Sequence, residues 1–165
     1  MLAGNHLRSA SAEALGSILA LGWLPALLSL DLSDNPLGPS GVRGLAKGLP
    51  SPADALPLQS LNLARTKAGP MGVAALGEAL KAKKVASLGS LDLEGNAMRP
   101  GGFKHLAAAV REMAVPHLRV LNLKRNFLTH VSRQHRDFAP LNDFLSTSGL
   151  RELEELDLSD NVLFD

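Results

Sequence analysis

The chain has no cysteine and no tyrosine, one tryptophan and five phenylalanines. Without cysteine there is no disulfide, no thiolate metal site and no cysteine nucleophile. So few aromatics leave little to stack on bases or to anchor a small interface. No Asn begins an N-x-S/T acceptor site for glycosylation. The most apolar stretch, 14–28, is broken by Gly and Pro and is too short for a bilayer. The opening M-L-A-G-N-H-L-R has neither the basic patch nor the apolar run of a signal peptide. The expectation is a cytoplasmic, intracellular chain with no membrane contact.

What is present is mostly Leu and Ala. Hydrophobic residues make up 45% and charged residues 20%, the balance of a globular chain with a core. The net charge of +1 hides an uneven spread. Residues 151–165 hold one Arg against six acids, a net −5, and the remainder carries +6. From Arg65 to Arg136 there are thirteen Lys or Arg against four acids. Charge alone would allow a nucleic acid partner; the missing aromatics and the acidic last segment argue against one.

The stretch 27–37, L-L-S-L-D-L-S-D-N-P-L, reduces to L-x-x-L-x-L-x-x-N-x-L. Complete copies begin at Leu27, Leu58, Leu88, Leu118 and Leu153, at offsets of 31, 30, 30 and 35 residues. Leu2, Asn5 and Leu7 match the tail of an earlier copy. A fixed period of this length marks a solenoid. In each L-x-L the leucines alternate with exposed residues, the period of a short strand with one buried face. The Asn column reads Asn5, Asn35, Thr66, Asn96, Asn126 and Asn161. Stacked Asn side chains can both donate to and accept from turn backbone. Thr66 and Ala68 break the pattern, so the second full repeat is expected to be the weaker one.

A helix follows each Asn. Val42, Leu45, Ala46 and Leu49 lie on one helical face, and so do Phe103, Leu106, Ala107 and Val110. Pro39, Pro70 and Pro100 fit first turns. In the fourth full repeat the apolar face is expected at Phe138, Leu141 and Leu145, with a helix start near Pro140. The extra five residues then fall within Thr129 to Asp137. Domain 1–165 is accordingly one unit, with a partial repeat over 1–26 and full repeats starting at 27, 58, 88, 118 and 153. Its incomplete first and last repeats suggest a piece of a longer protein or assembly.

A search for chemistry returns little. Asp31, Asp92 and Asp157, with Asn62 and Asn122, recur at one slot of every repeat, which is the signature of architecture rather than of acid/base work. No His lies at metal-ligand spacing from a carboxylate. The G-P-S-G and G-P-M-G stretches lack the Lys and Ser/Thr of a phosphate loop. The chain is therefore read as non-enzymatic, with no cofactor and no metal.

Strand, Asn turn and helix at about 30 residues per unit resemble the leucine-rich repeat family, and within it the ribonuclease-inhibitor-like subclass. That resemblance implies an α/β solenoid: a curved, right-handed horseshoe with a parallel sheet on the concave face and helices on the convex face. It puts Asp31, Ser33, Asp34, Asn62, Arg65, Asp92, Glu94, Asn122, Lys124, Arg125 and Asp157 on the concave face. Mixed charge there suits the reading of a protein partner. The inserted loop, with His130, Arg133, His135 and Arg136, is a second candidate, because long loops on rigid scaffolds often carry function. The implied role is a protein-binding scaffold, as in NOD-like receptors, tropomodulin-like proteins and cytoskeletal or ciliary scaffolds. The alternative is a regulator resembling Ran GTPase-activating protein; Arg8 is the only Arg of the first repeat that could serve it.

Overall fold

The computed structural model describes residues 1–49, 56–82, 85–131 and 136–161, with only the backbone of 130, 131, 136 and 137. In chain order the elements are α1 (Ser9–Ala20), β1 (Ser29–Asp31), α2 (Gly38–Gly48), β2 (Ser60–Asn62), α3 (Gly69–Lys81), β3 (Ser90–Asp92), α4 (Arg99–Arg111) and β4 (Val120–Asn122). Then come β5 (His130–Val131), β6 (Arg136–Asp137), α5 (Ala139–Leu145), a 3-10 turn over Ser148–Leu150, and β7 (Glu155–Asp157). The strands β1-β2-β3-β4-β7 form one parallel sheet. Their middle leucines align without a slip: Leu30, Leu61, Leu91, Leu121 and Leu156. This is an α/β leucine-rich repeat solenoid, with each helix packed on the next.

Each strand of this parallel sheet is only three residues long, so the sheet depends on leucine burial more than on strand length. Leu30, Leu61, Leu91 and Leu121 are buried, as are Leu32, Leu63, Leu93 and Leu123 one step on. The helices close this core from the other side. Helices α1 and α2 meet through glycine: a Cβ on Gly16 would lie 2.5 Å from the carbonyl oxygen of Gly44. Prolines stand in the first turns of α2, α3, α4 and α5, where a missing N–H removes a donor that has no helical partner.

The Asn column works as a ladder. Asn96 Oδ1 accepts from the backbone N–H of Thr66 and Ala68 in the preceding repeat, at 3.2 and 3.0 Å. Its Nδ2 donates to the carbonyls of Leu63 and Leu93, at 2.7 and 3.0 Å. Asn126 repeats the pattern on Asn96, Met98, Leu93 and Leu123. At the first full repeat Asn35 Oδ1 accepts from the N–H groups of Asn5 and Leu7, so the stretch 2–7 is stitched onto the ladder.

Thr66 breaks the ladder as expected. Its hydroxyl lies within hydrogen-bond distance of the Leu63 carbonyl and of Asn96 Oδ1, both in its own or the following repeat. It makes no bond back to Asn35, Leu37 or Leu32, where an Asn would reach. The Leu37 N–H instead closes a tight turn on the Asn35 carbonyl at 2.7 Å. Thr66→Asn is expected to raise stability by about 1–2 kcal/mol, because it supplies partners to buried backbone groups. A urea midpoint that stays level or falls would contradict this.

One helical face departs from expectation. In α5 the buried residues are Leu141 and Phe144, while Leu145 is 47% exposed. Phe138 is the residue before the helix and is only half-buried. Phe144 is drawn inward by Phe103, whose ring it meets edge-on at 5.3 Å and 66°. Of the expected insertion, 129–137, the structure describes the flanking strands β5 and β6, while 132–135 lie outside the described residues. β5 and β6 pair antiparallel, His130 with Asp137 and Val131 with Arg136.

Candidate interaction surface

The outward positions of the sheet fall into columns because the strands are in register. The innermost column is Asp31, Asn62, Asp92, Asn122 and Asp157. Each side chain folds back on its own strand exit. Oδ1 accepts the N–H two residues on: Ser33 at 3.0 Å, Ala64 at 2.9 Å, Glu94 at 2.9 Å, Lys124 at 3.0 Å and Ser159 at 2.8 Å. This explains the recurring Asp or Asn: either side chain offers the acceptor that ends the strand. The column is architectural first. The Ser159 hydroxyl and N–H hold the Asp157 carboxyl below its usual range.

The next two columns carry the charge. Arg65 is fully engaged: Nε and Nη2 donate to the Asp34 carboxylate at 2.7 and 2.8 Å, and Nη1 to Glu94 at 2.9 Å. The hydrogen bonds from Arg65 hold Asp34 below its usual range, and Asp34 in turn raises Arg65. Arg125 is engaged on one side only, through Nε to Asp160 at 3.0 Å. Lys124 shares the same carboxylate at 3.8 Å. Between the two arginines stands Gly95, at φ +65°. The column therefore reads Asp34, Arg65, Gly95, Arg125, Asp160. Asp34, Arg65, Arg125 and Asp160 share the left-handed backbone of Gly95.

Of the sequence-assigned residues, the structure brings Asp31, Asn62, Asp92, Asn122 and Asp157 together with Asp34, Arg65, Glu94, Lys124 and Arg125 on one sheet face. Ser33 is in the same column as Glu94 and Lys124 but is only 5% exposed, its hydroxyl 2.7 Å from Asp31. It has little surface to offer a partner. In the inserted loop, Arg133 and His135 lie outside the described residues, as do the side chains of His130 and Arg136.

Two exposed aromatics were not singled out by sequence: Trp23, 69% exposed in the loop before β1, and Phe127, 53% exposed just after Asn126. Phe127 also has φ +54°, a costly backbone for a bulky side chain. Its signal was available, since the residue after each Asn falls outside the leucine skeleton. Among the described residues no group of three or more His, Asp or Glu could hold a metal ion. No described helix is long and apolar enough to cross a membrane.

A family model described as Leucine Rich repeat matches residues 25–46, the span from the loop before β1 into α2. That match agrees with the register and ladder of the whole sheet. Leucine-rich repeats are a common protein-interaction motif and are generally non-enzymatic.

Proposed function

We propose that this protein is a scaffold that binds a protein partner on the outward face of its parallel sheet. The observation that carries the reading is the fixed grid of polar side chains. The strand exits are tied by Asx bonds and the turns by the Asn ladder. A surface already ordered loses little free energy to ordering on binding. The charges are mixed and held in place, which favours specificity and rapid encounter over affinity from any one pair. The partner-reading residues are Asp34, Arg65, Glu94, Lys124 and Arg125, with the inserted-loop residues His130, Arg133, His135 and Arg136 as a second candidate. The concave curvature and the ribonuclease-inhibitor-like subclass belong to this same reading.

Arg125 is the residue to test, because it is 63% exposed and half unpaired. Arg125→Glu is expected to change stability by less than about 1 kcal/mol, as for other exposed ion pairs. The same change should abolish retention of a partner that the wild type captures from native lysate. Equal capture by both forms would contradict the reading. A small GTPase among the lost partners would favour a GTPase regulator instead.

A further inference from the structure

Helix α5 has seven residues, whereas α2, α3 and α4 have eleven to thirteen. An open groove of about 280 Å³ lies between α4 and this short helix. Ala107, Ala108 and Phe144 line its apolar part, with Lys104 and Arg111 along the α4 side and Asp143 on α5. Lys104 and Arg111 are seven residues apart, about 10 Å along the helix axis at 1.5 Å per residue. Neither has an ion-pair partner among the described residues. The neighbouring Lys81, by contrast, lies 3.5 Å from Glu112 and 4.0 Å from Glu78.

We propose that this groove docks an acidic amphipathic helix of a partner protein. The apolar stripe of such a helix would lie over Ala107 and Ala108, whose small side chains allow close approach. Two of its carboxylates, also seven residues apart, would meet Lys104 and Arg111. Asp143 sets the orientation, since it repels an anion placed on the α5 side. The surrounding sequence steers in the same sense: 65–136 holds thirteen basic residues against four acids. This site is on the helices and stands independently of the sheet-face reading.

The test is fluorescence anisotropy with a labelled helical peptide bearing two Glu seven residues apart and Leu between them. Its counterpart with Lys in place of the two Glu is the control. The acidic peptide is expected to bind and the basic one not. Lys104→Glu combined with Arg111→Glu should weaken binding at least about tenfold, and added salt should weaken it in the wild type. Ala108→Gln, which fills the floor and keeps both charges, should weaken it too while the urea midpoint stays in place. Failure of the acidic peptide to bind at millimolar concentration would overturn the proposal. So would equal binding of the two peptides, or indifference to both variants. Sedimentation showing a wild-type dimer dissolved by the charge reversal would also overturn it, in favour of the acidic last repeat of a second copy.

Discussion

Asn96→Ala is expected to lower stability by about 3 kcal/mol or more, since each buried group left unpaired costs about 1–3 kcal/mol. The side chain is 1% exposed. It serves the N–H groups of Thr66 and Ala68 and the carbonyls of Leu63 and Leu93. Alanine serves none of them. The loss also crosses a repeat boundary, because three of the four groups belong to the preceding repeat and one, the Leu93 carbonyl, to the repeat of Asn96 itself. In a solenoid, stability is close to a sum of repeat and interface contributions. The variant should therefore loosen the junction between the second and third full repeats. Faster amide exchange at Thr66 and Ala68 would locate the damage there, and an unchanged urea midpoint would contradict the ladder.

Leu91→Ala is the second large effect, expected at about 2–5 kcal/mol for a leucine removed from a packed core. Leu91 is fully buried in β3, the central strand, and aligns with Leu61 on one side and Leu121 on the other. Neighbours pinned by register on both sides cannot collapse into the cavity, which places the cost toward the upper end. Leu156 in β7 is the internal comparison. It aligns with Leu121 on one side and is only partly buried, so Leu156→Ala should cost distinctly less. Urea unfolding of the two variants side by side checks both statements. Equal losses would mean that the sheet's leucines are not graded from centre to edge.

The fold was legible because one physical solution is written five times. Leu30 and Leu32 declare a strand with one buried face, and Asn35 declares its exit. The same pattern at 58, 88, 118 and 153 fixes the register of the sheet. Thr66 was legible as a weak point for the same reason, since a hydroxyl cannot reach as many groups as an amide. The face of α5 was not. The insertion removed the periodic reference, and packing of Phe144 against Phe103 is a tertiary preference that spacing does not encode. On the sheet face, sequence gave the positions of Arg65 and Arg125 but not their difference. Arg65 is spent on Asp34 and Glu94, while Gly95 leaves Arg125 with one acid neighbour. The burial of Ser33 was hidden too, because it follows from a bond to Asp31 within a single turn.

The central claim is that the sheet face, held rigid by the Asn ladder, is where a protein partner binds. Amide hydrogen exchange on the protein alone and with its captured partner tests it most directly. The account predicts added protection in the strand exits, 31–34, 62–65, 92–95, 122–125 and 157–160, with α1 to α3 unchanged. Protection confined to the helices, with the strand exits exchanging as in the free protein, would contradict it.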